Sequence, residues 1–202
     1  MALVSTVVAL SLGLSATTAQ ATSATTWTVT PGGAFSVSGN VQLKDAKTGT
    51  VTKCTTVKLS GTLKKGSGLS GTSIGTITKA SFSGCTIGSI KITVTAKGEP
   101  WRFDAKGYDK SDLSKPIVWL GWAWWWWVII FAGCSADVHG TTTRNGYTYL
   151  SYSDQTGAIT LGPKDSLQAA DVKGCVGLLS NGDPQQISGS DTLTPLQNFT
   201  KS

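Results

Sequence analysis

The sequence predicts an all-β fold, an antiparallel β-sandwich or barrel with meander hairpins, stapled by two disulfides. Composition is the first reason: charged residues make up only 14% of the chain while glycine reaches 24, a profile of turns and short strands. Thr, Val, Ile and Trp recur and Glu99 is the sole glutamate, so helix formers are scarce and residues suited to a pleated surface are abundant. The second reason is apolar/polar alternation of period two between turn signals. The third is an even set of cysteines behind an export signal.

That signal is the N-terminus, MALVSTVVALSLGLSATTAQA, whose apolar stretch runs from Val4 to Leu14. Ala19-Gln20-Ala21 supplies small residues for cleavage, although no Lys or Arg precedes the apolar stretch. Residues 1–21 are therefore expected to be a signal peptide and 22–202 a single secreted β domain, with the polar stretch 110–116 as the midpoint of two halves. The expected location is extracellular or associated with the cell envelope. Cys54, Cys85, Cys134 and Cys175 then meet an oxidising compartment, where disulfides are the default. Three pairings exist. One bridge per half, Cys54–Cys85 and Cys134–Cys175, is favoured, each worth about 3–4 kcal/mol by loop-closure entropy. A metal site needs short ligand spacings that these cysteines lack, and His139 is the single histidine, so no metal and no cofactor is expected.

Along the chain, Asp45 to Gly49 turns between the segments Phe35–Lys44 and Thr50–Leu59. Gly66-Ser67-Gly68 reads as another turn. Ile90, Ile92, Val94 and Ala96 form an inner face, as do Trp101, Phe103 and Ala105, and Gly98-Glu99-Pro100 between them reads as the loop of a hairpin. Asn145-Gly146 predicts a second hairpin joining His139–Arg144 to Tyr147–Tyr152. Asp154 to Gly157 turns the chain into Ala158–Leu161. No helix is convincing, with Ser166–Val172 able to make a turn or two at most, and the polar tail from Ser188 is expected to be loosely held. Phe82-Ser83-Gly84-Cys85, Phe131-Ala132-Gly133-Cys134 and Val172-Lys173-Gly174-Cys175 share a Gly-Cys ending that reads equally as a weak internal repeat or as coincidence in a Gly-rich chain.

The run Ile117 to Ala132 holds six of the eight tryptophans and no charge. As a helix its sixteen residues would span about 24 Å, short of the roughly 30 Å hydrocarbon core. A strand broken near Gly121, with Trp122 to Phe131 as its body, fits better. Alternation then puts Trp122, Trp124, Trp126, Val128 and Ile130 on one face and Trp125, Trp127, Ile129 and Phe131 on the other. Both faces are apolar, so one enters the core and the other needs a second layer, a partner, a lipid surface or a ligand. Trp122, Trp124, Trp125, Trp126, Trp127 and Phe131 are the expected interaction surface.

No catalytic residues are assigned. Gly71-Thr72-Ser73-Ile74-Gly75 matches the hydrolase pattern G-x-S-x-G, but a strand rather than a helix is expected after it. The seventeen basic residues are scattered, with Lys64-Lys65 the sole adjacent pair, a pattern that speaks against nucleic acid and leaves weak attraction to acidic cell envelopes.

Trp27-Thr28-Val29-Thr30-Pro31-Gly32-Gly33, Cys54 with Leu59-Ser60-Gly61-Thr62, Ala80-Ser81-Phe82-Ser83-Gly84-Cys85 and Pro100-Trp101 resemble segments of small secreted proteins of high-GC Gram-positive bacteria. Cys134-Ser135-Ala136, Gly174-Cys175-Val176-Gly177-Leu178 and Asn181-Gly182-Asp183-Pro184 resemble the same group. The order strand, Phe-Ser-Gly-Cys, strand, Pro-Trp is also similar to the protein activator of alkane oxidation (PraB-like) exoprotein family. The resemblance implies a secreted β-rich protein acting at apolar surfaces, with no catalytic residues to carry over. The tract departs from the group, where that region resembles an alternating Gly/Thr/Ile strand. The expected function is thus a secreted, non-enzymatic structural or interaction protein engaging an apolar surface, a lipid or a protein partner, with an oligomer as one form. The alternative is a membrane-associating or pore-forming β-protein.

Overall fold

A computed structural model describes residues 25–108, 116–123, 128–131, 133–141 and 146–201. In chain order the strands are β1 (Thr26–Thr30), β2 (Gly33–Asp45), β3 (Val51–Leu63), β4 (Gly66–Ser70), β5 (Gly75–Ile87), β6 (Ile90–Lys91), β7 (Thr93–Thr95) and β8 (Trp101–Tyr108). They continue with β9 (Pro116–Ala123), β10 (Val128–Phe131), β11 (Cys134–Gly140), β12 (Gly146–Tyr152), β13 (Ala158–Asp165), β14 (Leu167–Lys173), β15 (Pro184–Thr194) and β16 (Asn198–Lys201). The described residues contain no helix, and every strand pairing is antiparallel, as composition and alternation predict.

Four long strands in the order β5-β3-β2-β15 form the backbone of the molecule. Alternation sorts their side chains into two faces. Phe35, Val37, Val41, Leu43, Val57, Leu63, Ile77, Ile187 and Leu193 point inward and are buried. Ser36, Ser38, Asn40, Gln42 and Lys44 alternate with them on β2 and are exposed. Asp45 is fully buried where the first turn begins. Its Oδ1 accepts the backbone N–H groups of Lys47 (2.9 Å) and Thr48 (2.8 Å), and its Oδ2 accepts from Gln185 Nε2 at 2.7 Å. One buried carboxylate thus fixes both the β2–β3 turn and the start of β15.

Two shorter sets of strands cover the inner face. At one end β5 continues into β8, β9, β12 and β13, and β13 pairs back onto β15 through Ala158↔Thr192 to Leu161↔Gly189. The ring β15-β2-β3-β5-β8-β9-β12-β13 therefore closes as a barrel, which removes sheet edges. At the other end β15 continues into β14, β11, β10 and β7. A separate sheet, β16-β1-β4, stops the barrel end. There Phe199 packs 5.6 Å from Tyr152 and 6.2 Å from Phe103 between ring centroids. The Tyr152 hydroxyl donates to Gln197 O (2.8 Å) and accepts the Gln197 N–H (2.9 Å), so its polar end is satisfied inside the core.

Both favoured disulfides are present. Cys54–Cys85 joins directly opposed residues of β3 and β5, and Cys134–Cys175 ties β11 to the loop after β14. The Gly-Cys repeat has a backbone meaning: Gly84, Gly133 and Gly174 have φ of +61°, +83° and +65°, a region open to glycine. A Cβ on Gly174 would collide with Gly133 O, and one on Gly84 with Thr55 Oγ1.

Several local expectations are corrected. β7 pairs with β10 and β8 with β5 and β9, so Gly98-Glu99-Pro100 does not close a hairpin; Val94, Trp101, Phe103 and Ala105 are buried as read, but Ile90 is 46% exposed. β11 pairs with β10 and β14, and β12 with β9 and β13, so these two strands do not form the second hairpin. Alternation identifies a strand's faces and carries no information about its partner. The turn Asp154 to Gly157 does close a hairpin, β12–β13. Gly66-Ser67-Gly68 lies in β4, where Gly68 (φ +67°) accompanies a bulge against β1. Ser166–Val172 falls largely in β14 rather than a helix, since Leu167 and Ala169 alternate inward. The tail from Ser188 is held by seven of the ten residue pairs between β15 and β2 and by buried Phe199. Residues 1–21, and 110–115 of the expected midpoint, lie outside the described residues.

Loop-closure entropy for separations of 31 and 41 residues predicts that Cys→Ser replacement of either pair lowers stability by about 3.5–4 kcal/mol. Calorimetry of each double variant is expected to show a melting midpoint lower by roughly 10 °C, with the strand signal in circular dichroism retained.

Candidate functional site

Two places in the long sheet stand out, one on each face. On the inner face Phe35, Val37, Val57, Trp101, Phe103 and Ile187 are among the side chains around a void of about 30 Å³, and Asp191 is the one charged group on it. Asp191 is 7% exposed and Oδ1 has no hydrogen-bond partner among the described residues. The carboxylate occupies the space above Gly39, its cross-strand neighbour, where a Cβ would collide with Oδ1 and with Ser190 O. Burial pushes the Asp191 carboxyl up to about 6, against the opposing pull of the Asn40 backbone amide. A void of this size holds one or two waters. Ligand pockets run to roughly 300–1,000 Å³, so the interior is a packed core with one polar flaw, not a ligand chamber.

The outer face is open along the full length of the four strands. Register places Thr192, Ser38, Lys58 and Ser81 in one row across the sheet, and Thr194, Ser36, Ser60 and Lys79 in the next. Farther along, Ser188, Gln42, Lys53 and Thr86 form another row, followed by Gln186, Lys44 and Val51. Ser36, Ser38, Lys58, Ser60, Lys79 and Ser81 border a shallow depression. Hydroxyls here make long bonds to backbone, such as Ser36 Oγ to Thr194 O and Ser81 Oγ to Lys58 O, both 3.5 Å, and so keep most of their hydrogen-bonding capacity. The two carboxylates of these strands, Asp45 and Asp191, are buried on the other face, while Lys44, Lys53, Lys58 and Lys79 are all exposed. The lysines are scattered in sequence; the signal that gathers them is strand alternation combined with register.

The expected interaction surface is divided. Trp122 falls in β9 and Phe131 in β10, and these strands have different neighbours, so Trp122 to Phe131 is not one strand. Gly121 lies within β9, where Gly146↔Ala123 and Tyr147↔Gly121 leave Trp122 as the extra residue of a bulge, so the glycine marks a bulge rather than a break. Trp124, Trp125, Trp126 and Trp127 lie outside the described residues.

In the Gly71–Gly75 motif Ser73 has φ +50° and its backbone N–H donates to Asp104 Oδ1 at 2.7 Å. Asp104 is buried and held by Arg102 Nη2 (2.9 Å) and Lys106 Nζ (3.2 Å). The chain continues into β5, giving strand–turn–strand where a nucleophile elbow needs strand–turn–helix. His139 is buried on β11 with Nδ1 2.8 Å from Gly140 O. The Ser73–Asp104 contact fixes the β4–β5 turn.

No known protein family, curated protein or solved structure matches the chain. The PraB-like resemblance therefore stands on its short motifs alone.

With a folded value near 6 and an unfolded value near 3.9, Asp191 favours folding below pH 4 and loses that contribution as pH rises through 6. Asp191→Asn is expected to raise the melting midpoint at pH 8, by about 2–4 °C per kcal/mol relieved, and to leave it unchanged near pH 4. Gly39→Ala is expected to lower it at both pH values, because the collision with Ser190 O does not titrate. Thermal melts of the three proteins across this range check both.

Proposed function

We propose that this is an exported, non-enzymatic interaction protein that engages its partner through the outward face of β5-β3-β2-β15. The observation that carries the reading is that four long strands turn one face into the core, most of it buried, while the other stays open as continuous rows of Ser, Thr, Asn, Gln and Lys. The Cys54–Cys85 bridge across β3 and β5 and the closed ring behind them make that face rigid, so a partner meets groups already in position. Two disulfides suit the oxidising compartment that the N-terminal segment predicts.

Co-sedimentation of the purified protein with the insoluble envelope and matrix fraction of its producing cells tests this. Retention is expected for the native chain and loss for a variant with Ser38, Lys58 and Ser81 all changed to Glu. These exposed side chains lie in one row, so the variant is expected to keep its melting midpoint within a few degrees. Retention of the triple variant removes the face from the reading.

The tract from Ile117 to Ala132 supports a second reading, contact with apolar surfaces or lipid, because no charge interrupts it. Flotation with phosphatidylcholine vesicles checks it: co-floating protein supports it, and protein left at the bottom of the gradient counts against membrane action.

A further inference from the structure

We infer that the outward face of the long sheet binds a linear acidic polysaccharide along a diagonal track of lysines. The inference rests on the reading of that face as the interaction surface and names the partner it fits.

The track follows from register. Lys79 on β5 lies opposite Ser60, and Lys58 is two residues from Ser60 on β3. Lys53 follows on β3 opposite Gln42, and Lys44 is two residues beyond Gln42 on β2. The four ammonium groups thus step across three strands in a single direction. Between the level of Ser60 and that of Val51, the partner of Lys44, the track covers about 30 Å at 3.3–3.4 Å per residue. Charge is segregated through the thickness of the sheet: these four lysines are exposed outward and both carboxylates, Asp45 and Asp191, are buried inward. Burying Asp191 without a partner for Oδ1 is unfavourable, yet it keeps negative charge off the track.

The side chains between the lysines identify the polymer. Ser36, Ser38, Asn40, Gln42, Ser60 and Ser81 are hydroxyls and amides that both donate and accept, the complement of sugar hydroxyls. Lysine meets an anion as a point charge on a flexible stem, which suits carboxylates spaced along a chain better than bidentate recognition of one group. Phe35 and Phe82 of these strands lie on the inner side among the core residues, so the track has no aromatic platform of the kind that stacks nucleobases in single-stranded nucleic acid sites.

The test uses the full-length processed protein and four probes: alginate as the polyuronate, neutral dextran, poly(glycerol phosphate) and single-stranded DNA. Two quadruple Lys→Gln variants remove the same charge, one at Lys44, Lys53, Lys58 and Lys79 and the other at Lys64, Lys65, Lys173 and Lys201, and melting midpoints confirm that both fold. Salt-dependent binding to alginate is expected, weakened about tenfold or more in the first variant and by much less in the second. Equal losses in the two variants, or no alginate binding, overturns the inference. Binding of poly(glycerol phosphate) or DNA as tight as that of alginate overturns the assignment to a polysaccharide. Sedimentation with envelope material that survives a failure on alginate leaves the interaction face standing and removes only this partner.

Discussion

Cross-strand register in the four-stranded sheet β5-β3-β2-β15 governs the rest of the molecule. Side chains alternate with a period of two, so a slip by one residue on any of these strands would send its apolar set outward and its hydroxyls and lysines into the core. The chain guards against this in several ways. The Cys54–Cys85 bridge pins β3 to β5 between directly opposed residues. The bulge that brings Gly39↔Val57 and Val41↔Cys54 into register lies beside Asp191, whose carboxylate fills the space over Gly39. At the far end the buried Asp45 carboxylate clamps the first turn and Gln185 together. Lys47 of that turn also pairs with Asp183 at 2.8 Å, which holds the Asp183 carboxyl below the usual carboxylate range.

Once the register is set, the division of labour between the two faces follows. The inner face collects Trp101, Phe103, Tyr152 and Phe199 with the aliphatic residues of the long strands, and the shorter strands exist to cover it. Tyr152, Gln197 and Asp104 are satisfied locally inside, through the mutual bonds of Tyr152 and Gln197 and the pairing of Asp104, whereas Asp191 Oδ1 is not. The outer face has no such duty. Its residues contribute little to the core and are free to be selected for what they present to the surroundings.

How much of this is readable from the chain depends on the kind of information each feature needs. Strand faces are local, so Val37, Val41 and Leu43 of β2, and Trp101, Phe103 and Ala105 of β8, are found by alternation alone. Disulfide partners are legible because four cysteines allow three pairings and one bridge per half closes loops of moderate length. Partner strands are not local. Gly98-Glu99-Pro100 and Asn145-Gly146 read as hairpin loops, yet the strands on either side of each do not pair with one another: β7 goes to β10, β8 to β5 and β9, β11 to β10 and β14, and β12 to β9 and β13. The lysine track is hidden for the same reason: Lys44, Lys53, Lys58 and Lys79 are scattered in sequence and align only when three strands are laid side by side. Ser188 onward reads as a polar tail because its large apolar residues, Leu193, Leu196 and Phe199, are few; Leu193 and Phe199 are buried.

The placement of β15 has a temporal consequence. It inserts between β2, near the start of the sheet, and β13, so that Leu193 faces Val37 from the opposite end of the polypeptide. Neither the barrel nor the plug around Phe199 can be completed until nearly all of the chain has been synthesised, and contacts of such long range form slowly. A nascent chain built this way remains threadable. Under the proposed reading of an exported chain, late closure would keep the polypeptide competent for passage and reserve assembly, with its two oxidations, for the far side.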